Sequence, residues 1–299
     1  MTTTYFIMNL YIIDPSVNLF REYLRLRTVH PEPDYDAALK FLDRIAEELG
    51  LPMKKIEVCP GRVVSIMTWQ GTNPALKSIL LNSHTDVVPV YQEHWKYDAF
   101  AAVKDAEGNI YARGTQDMKC VTIQYIQAIR RLKAEGKKFT RTIHLMFVPD
   151  EEVGGHKGME TFVKLPEFEE LNIGFEFEEQ IKKWCKEAGE GITYEFAQKH
   201  MNQNLTSTDE SDPWWNTFST TCKAMNMTLE KEIFPAATDS RFIRAVGLPA
   251  IGFSPMNRTP ILLHDHNEYL NEQVFLKGIQ VYENLVPALA NVPALPCDA

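Results

Sequence analysis

Short apolar runs that alternate with helical segments constrain the fold of this chain most strongly. Three runs have the length and apolar character of buried strands, namely Val63 to Trp69, Ile79 to Asn82 and Ile143 to Val148. Between the last two runs, apolar residues from Val121 to Leu132 recur at helical spacing, and the pattern stops near Gly136. Strands that alternate with helices predict an α/β fold with a central, mostly parallel mixed sheet that is largely buried and flanked by helices.

Further elements are predicted outside this central part of the chain. Helices are expected after Asp14-Pro15-Ser16, from Asp36 to Leu49, through Trp184 and Cys185, at Pro213 to Met225, and from Phe275 to Val286. Strands are expected at Ile173 to Phe177 and Ile192 to Phe196. The sequence contains no repeat, low-complexity tract or Gly/Ser linker, so one compact unit is expected.

Charge and cysteine content bear on the partners and the compartment. The chain has 31 basic and 40 acidic residues, and a surface that binds nucleic acid or anionic membranes needs clustered Lys and Arg. We therefore expect no nucleic-acid partner and no membrane partner. The five cysteines are odd in number and widely spaced, which predicts a reducing, cytoplasmic environment. The apolar stretch from Tyr5 to Ile13 follows no basic residue and is too short to span a bilayer, so no signal peptide is expected.

The first candidate site is a His-x-Asp motif at the end of an apolar run. His84 and Asp86 follow Leu80-Leu81-Asn82-Ser83, and strand ends are where α/β sheets expose functional groups. A histidine can bind a metal through one ring nitrogen while a carboxylate holds the other ring N–H, and Asp86 is placed to supply that carboxylate. A buried histidine with a purely structural hydrogen bond is the alternative interpretation of His84.

Candidate carboxylates follow two other elements. Asp117 lies in a glycine-containing turn just before a predicted helix, so it is either a ligand or a helix cap. Asp150, Glu151 and Glu152 directly follow the third apolar run. Three consecutive carboxylates repel one another, which favours a bound cation, although a solvated acidic loop is the alternative.

A second histidine with acidic neighbours lies near the C-terminus. His264 follows Leu262-Leu263 and precedes Asp265. Two histidines and several carboxylates form a mixed nitrogen and oxygen ligand set, which suits zinc or cobalt better than calcium or magnesium. The sequence therefore predicts a transition-metal site built from segments that are far apart in the chain.

Longer motifs in the same regions resemble a known family. They are LLNSHTDVVPV, YARGTQDMKC, FVPDEEVGGHKGME, PAATDSRFIRAVG, GFSPMNRTP and LLHDH. Through these motifs nearly the whole chain resembles the cytosolic aminoacylases, the N-acyl-L-amino-acid amidohydrolases among the zinc exopeptidases, to which carboxypeptidases and desuccinylases are related. The resemblance implies a zinc-exopeptidase catalytic domain.

The resemblance also implies two zinc ions (Zn²⁺) per chain. Asp117 would bridge the two ions, His84 and His264 would each bind one of them, and Glu152 and Glu179 would complete the two sites. The three carboxylates and a bridging hydroxide would balance the four positive charges of two Zn²⁺ ions, so the cluster could lie in a cleft of low polarity.

Catalytic and substrate-binding roles follow from the same resemblance. Glu151 matches the general base that takes a proton from metal-bound water, and Asp86 matches the residue that orients the first histidine. Arg241 resembles the residue that binds the substrate α-carboxylate, and a surface ion pair with Asp239 is the alternative. Gly252 resembles part of a substrate-contacting turn, and a plain β-turn is the alternative. The implied reaction is hydrolysis of small-molecule N-acyl-L-amino acids to a carboxylate and a free L-amino acid.

The chain departs from the family where a lid and dimerisation domain is normally inserted. Residues near 175–178 join the counterpart of the strand before the insert to the counterpart of the helix after it. We therefore expect one catalytic domain over residues 1–299, built from segments 1–177 and 178–299. The family is homodimeric through the missing domain, so this chain is expected to be largely monomeric.

Two functional groups are affected by the missing insert. Glu179 stands where the family has a zinc ligand, and it is either a substitute ligand or an exposed glutamate at a helix start. The family's lid also carries a histidine, in a Pro-Gly-His-Ala context, that reaches the substrate carbonyl from a partner subunit, and none of the eight histidines here has that context. We therefore expect weak aminoacylase activity, and the alternative is a non-catalytic short isoform that binds metal or a partner.

Overall fold

The computed structural model describes residues 14–176, 204–231 and 237–298. The strands in this part of the chain are β1 (Met53–Cys59), β2 (Arg62–Trp69), β3 (Ser78–His84), β4 (Val103–Lys104), β5 (Asn109–Tyr111), β6 (Ile143–Val148), β7 (Ile173–Glu176) and β8 (Tyr269–Asn271). Its α-helices are α1 (Pro15–Leu24), α2 (Tyr35–Leu49), α3 (Lys119–Ala134), α4 (Met159–Phe162), α5 (Pro166–Glu169), α6 (Pro213–Ala224), α7 (Ser240–Ala245) and α8 (Glu272–Ala290).

Five strands form the central sheet in the order β1-β2-β6-β3-β7. The β1/β2 and β2/β6 pairs are antiparallel, whereas β3 is parallel to both β6 and β7. The expected mixed sheet flanked by helices is confirmed, and half of its described strand pairs are parallel. In the β3/β6 pair, His84 is opposite Val148, so the carboxyl ends of these two strands meet at one edge of the sheet.

Both faces of the central strands are covered, which explains why apolar residues occur at successive positions in their sequences. Ile79 and Leu81 pack into a core with α1, α2, α3 and α8, whereas Leu80 points to the opposite face. That second face is covered by α4 and α7, through side chains that include Phe162 and Ile243. Because successive side chains of a strand point to opposite faces, a strand buried on both sides has no polar alternation.

Most of the predicted elements in the described residues are confirmed. The second helix begins after Asp34, whose carboxylate accepts a hydrogen bond from the backbone N–H of Ala37, and it ends at Gly50 with a φ of 61°. Strand β1 was not predicted, because it is a partly exposed edge strand that carries charged residues such as Lys54 and Lys55. The predicted helix through Cys185, the predicted strand at 192–196 and Glu179 lie outside the described residues.

A second, small sheet brings two distant parts of the chain together near the site. Its strand order is β4-β5-β8, and Tyr111 pairs with Tyr269. The segment that leads from β5 to Asp117 therefore lies against the segment that follows His264. Among the described helices, none is both long enough and apolar enough to cross a bilayer.

Candidate metal centre

Parallel strand pairing places two of the candidate motifs side by side. His84 ends β3, and Glu151 and Glu152 follow the adjacent end of β6. Between them, Asp150 has a φ of 62°, a left-handed backbone conformation that aspartate tolerates better than most residues. The chain then turns into a short 3₁₀ helix, Glu151–Val153, directly beside His84.

Four predicted residues converge on one cluster. Nε2 of His84 lies 2.9 Å from Oδ1 of Asp117, and the second oxygen of Asp117, Oδ2, lies 3.2 Å from Nε2 of His264. The same nitrogen of His264 lies 2.9 Å from Oε2 of Glu152. One ligand atom each from His84, Asp117 and Glu152 can be chosen so that all lie within 4.8 Å of one another. Asp117 thus faces a different histidine with each of its oxygens.

Burial makes the charges of this cluster interdependent. The Glu152 side chain is 2% exposed, its Oε1 has no hydrogen-bond partner among the described residues, and burial raises its pKa. Burial also opposes ionisation of Asp117, but hydrogen bonds to His264 and His84 outweigh it and lower the pKa of this carboxyl. Hydrogen bonds to Asp117 and Glu152 raise the pKa of His264 to about 10. The site therefore favours positive charge beside the buried carboxylate of Glu152 and the partly exposed carboxylate of Asp117.

Two alternatives left open by the sequence disagree with this geometry. Asp117 does not cap the following helix, because α3 begins after Met118 and the Asp117 carboxylate contacts two histidines instead. The acidic triplet is not a solvated loop either. Asp150 is buried, and the side chains of Glu151 and Glu152 are only 11% and 2% exposed.

Glu151 lies at the edge of the cluster rather than inside it. Its Oε2 is 4.0 Å from Nε2 of His84, a distance too long for a hydrogen bond. A carboxylate at this separation can contact a molecule held by the neighbouring ligand atoms without itself belonging to the ligand set. This position differs from that of Glu152, the adjacent residue, whose carboxylate contacts His264 directly.

Asp86 supports the cluster in a way that the sequence did not predict. Nδ1 of His84 is 3.0 Å from the backbone carbonyl oxygen of Asp86, whereas the nearest carboxylate oxygen of Asp86 is 3.6 Å away. The fully buried carboxylate instead accepts hydrogen bonds from the backbone N–H groups of Glu151 (3.2 Å) and Glu152 (3.0 Å). Asp86 therefore ties the loop that carries these two glutamates to the end of β3.

Further supporting residues were missed by the sequence analysis. Nε2 of His30 lies 2.8 Å from Oδ2 of Asp86. Asp150 accepts hydrogen bonds from the Tyr35 hydroxyl (2.7 Å) and from Nε of Arg62 (2.6 Å). These residues lie far from the motifs in sequence and have no motif of their own, so only the fold brings them to the site. Glu268, four residues after His264, was also missed.

The remaining predicted residues lie at different places. Nη2 of Arg241 donates a hydrogen bond of 2.6 Å to the carbonyl oxygen of Gly154, just beyond the acidic triplet. Gly252 is exposed, and its neighbour Phe253 accepts a hydrogen bond from the Tyr282 hydroxyl on α8. The structure thus places Arg241 against the loop of the cluster and ties the segment that contains Gly252 to α8. Glu179 is outside the described residues.

Sequence comparison gives the relationships of the chain. The model of peptidase family M20/M25/M40 matches residues 80–288. The chain is 47% identical to aminoacylase-1 of Homo sapiens over 398 aligned positions, which cover 95% of this chain and 98% of the relative. Because the chain has only 299 residues, part of that relative has no counterpart here.

Solved structures show the same fold. The M20 metallo-carboxypeptidase Sso-CP2 of Sulfolobus solfataricus matches with a TM-score of 0.73 at 13% identity, over 93% of this chain and 100% of that one. The YXEP protein of Bacillus subtilis, described as a dinuclear metal binding peptidase of the M20 family, matches with a TM-score of 0.62 at 13% identity, over 93% and 98% of the two chains. The chain therefore belongs to peptidase family M20/M25/M40 and is a homologue of aminoacylase-1.

Proposed function

We propose that this chain is an aminoacylase that hydrolyses N-acyl-L-amino acids to a carboxylate and a free L-amino acid, with two zinc ions bound. As a member of an amide-hydrolysing peptidase family with aminoacylase-1 relatives, the chain is a hydrolase. The observation that carries the finer proposal is the convergence of His84, Asp117, Glu152 and His264 beside Glu151.

The described residues fit a divalent metal. Glu152 has a buried oxygen without a hydrogen-bond partner in the described residues, as expected of an oxygen that binds a cation when the metal is present. Asp117 would bridge two ions, His84 would bind one, and His264 and Glu152 the other, while Glu179 remains a proposed fifth ligand. Imidazole nitrogens and carboxylate oxygens together suit zinc. When bound, the ions would lower the pKa of a coordinated water and polarise the scissile carbonyl group.

Glu151 would act as the general base and general acid. Its carboxylate lies beside His84, with Oε2 4.0 Å from Nε2 of the imidazole, a position from which it could accept a proton from the attacking water. The same carboxyl group can then protonate the leaving amine nitrogen. Asp86 holds the backbone of Glu151 at the end of β3, which limits the positions that this carboxylate can reach.

Arg241 would bind the substrate α-carboxylate. Its guanidinium is held beside the cluster loop by one hydrogen bond to Gly154, and a guanidinium offers five N–H donors in a planar fork suited to a carboxylate. Its Nε–H is buried without a hydrogen-bond partner in the described part of the chain. Gly252 is proposed to contact the substrate through its exposed backbone.

The chain would act as one catalytic domain, with segments 1–177 and 178–299 joined where relatives carry the lid. The alignment of 398 positions with a chain of 299 residues supports this arrangement. Without the lid and dimerisation domain we expect a monomer. We also expect slow turnover, because loss of one oxyanion donor lowers turnover by about 10²–10³-fold. A cytoplasmic location is supported by Cys59, Cys120, Cys222 and Cys297, which form no disulfide within the described part of the chain.

A non-catalytic short form is the second candidate, favoured by the same missing length. Product formation from N-acetyl-L-methionine, with zinc and with chelator, distinguishes the two. We expect slow hydrolysis that requires zinc and disappears in Glu151→Gln. A wild-type rate equal to that of Glu151→Gln, in protein that holds its metal, would favour the non-catalytic form.

A further inference from the structure

Glu268 is a fully buried carboxylate that accepts hydrogen bonds from the backbone of the turn leading to Asp117. Its Oε1 accepts hydrogen bonds from the backbone N–H groups of Gln116 (2.6 Å) and Asp117 (3.3 Å), and its Oε2 accepts one from Gly114 (3.0 Å). Three of the four residues from Gly114 to Asp117 are therefore held by one side chain. The position of the Asp117 backbone depends directly on this carboxylate.

Arg113 extends this arrangement to the His264 loop. Its Nη1 donates hydrogen bonds to Oε2 of Glu268 (2.8 Å) and to the carbonyl oxygen of Asp265 (3.1 Å), and its Nη2 donates to the carbonyl oxygen of His264 (3.3 Å). Arg113 is 2% exposed and Glu268 is fully buried, so this ion pair has little competition from water.

The backbone of His264 shows why such support is required. His264 has a φ of 63°, a left-handed backbone conformation that is strained for a non-glycine residue and persists only where its surroundings hold it. Its side chain is 54% exposed, so core packing does not fix it. Arg113 provides a hydrogen bond at the carbonyl group of this residue.

Gln116 links the same two segments independently. Its Nε2 donates to the carbonyl oxygens of Pro260 (3.1 Å) and Tyr269 (2.8 Å), and its Oε1 accepts from the N–H of Leu262 (3.0 Å). The loop that ends in Asp117 and the loop that carries His264 thus form one hydrogen-bonded unit with Glu268 at its centre.

We propose that Glu268 is a positioning residue which, through Arg113, sets Asp117 and His264 at the separation that one metal ion requires. The inference rests on the proposed metal centre. Glu268 itself is not a ligand: its two oxygens are occupied by an arginine and three backbone N–H groups. Outer partners of this kind typically change metal affinity by about 10- to 100-fold when they are removed.

The test compares Co²⁺ binding to the chelator-treated wild-type chain and to Glu268→Gln, followed by visible absorption. Glutamine keeps the size of the side chain but replaces one acceptor oxygen with a donor. We expect one of two Co²⁺ equivalents to bind about 10- to 100-fold more weakly, with an altered absorption band for that ion. Unchanged binding of both equivalents in the folded variant would overturn the proposal.

Arg113→Lys provides a second variant, which also decides the question when Glu268→Gln fails to fold. Lysine keeps the positive charge, but its single nitrogen cannot span Glu268 and both carbonyl groups as Arg113 does. We expect the same Co²⁺ equivalent to be weakened. Wild-type binding of both equivalents by Arg113→Lys would show that the link to His264 has no effect on the metal.

Asp298→Asn is the matched control, because it removes the charge from another buried arginine–carboxylate pair, with Arg141, in which the Asp298 side chain is 3% exposed. It is expected to lower the unfolding temperature of the metal-free chain but to leave the Co²⁺ titration unchanged. Equal weakening in this control would assign the effect to stability alone and overturn the proposal. A wild-type chain that binds no Co²⁺ would instead refute the proposed metal centre.

Discussion

Asp86→Asn tests whether one buried carboxylate holds the loop of Glu151 and Glu152 in place. In the wild-type chain, Oδ2 of Asp86 faces Nε2 of His30 and the N–H of Glu152, while Oδ1 accepts from the N–H of Glu151. Asparagine offers one acceptor oxygen and one donor group. If the remaining oxygen keeps the two donors at Oδ2, the new NH₂ group faces the N–H of Glu151, and that hydrogen bond is lost.

The expected size of the effect follows from this count. A buried hydrogen bond to a charged group contributes about 1.5–3 kcal/mol, and a buried N–H left without an acceptor costs about 1–3 kcal/mol. These two energies describe in part the same lost interaction and cannot simply be added. We therefore expect the free energy of unfolding of the metal-free chain to fall by about 2–4 kcal/mol. Displacement of Glu151 by about 1 Å is expected to lower kcat/KM by about 10²-fold.

The stability difference between the wild type and Asp86→Asn should depend on pH. Burial opposes the charge of Asp86, but contacts with the imidazoles of His30 and His84 outweigh it and lower its pKa. A lowered carboxyl pKa stabilises the fold above the unfolded value of about 4, and this stabilisation is lost as the pH falls through the folded value. The difference in stability between the wild type and Asp86→Asn should therefore narrow below about pH 4.

Urea denaturation and turnover of N-acetyl-L-methionine measure the two effects. The exposed carboxylate of Asp98 serves as the control, because its ion pair with Arg27 is 3.6 Å long and both side chains are more than half exposed. Asp98→Asn should change the unfolding free energy by less than about 1 kcal/mol. An Asp86→Asn variant with the stability and turnover of that control would refute the supporting role of Asp86.

Three further predictions follow from the same structure. Glu151→Gln should keep its metal but lose about 10²–10⁴-fold in kcat, whereas Glu152→Gln should lose metal. If the two variants behaved alike in metal analysis and turnover, the assignment of Glu151 as base and Glu152 as ligand would be wrong. The chain should be monomeric by light scattering, and its turnover should be at least about 10²-fold slower than that of full-length aminoacylase-1. A comparable turnover rate from a monomer would show that no lid histidine is needed. Asp298→Asn should lower the free energy of unfolding by about 3 kcal/mol at neutral pH, as measured by urea denaturation. Because Arg141 lowers the Asp298 pKa, this difference from the wild type should shrink below about pH 4.

The central strands were predictable because burial on both faces leaves a direct trace in the sequence. The run from Ile143 to Val148 coincides with β6, and the run from Ile79 to Asn82 lies within β3. The edge strand β1 left no such trace, since Lys54 and Lys55 face solvent and interrupt the apolar pattern.

The motifs of the candidate metal centre were predictable for a different reason. His84 and Glu152 follow strands whose parallel pairing brings their carboxyl ends together, so their proximity follows from the fold class. Glu268 and His30 could not be predicted in the same way. Each acts through hydrogen bonds to residues 56 or more positions away in the chain, and such contacts depend on loop geometry that has no periodic signature.

Metal stoichiometry tests the central claim most directly. The wild-type chain, loaded with zinc and then exhaustively exchanged into metal-free buffer, should retain two zinc ions per chain by elemental analysis. His84→Ala should retain fewer, because it removes the imidazole that lies 2.9 Å from the Asp117 carboxylate, the proposed bridging ligand. A folded wild-type sample with well under one zinc ion per chain, unchanged in His84→Ala, would contradict the account.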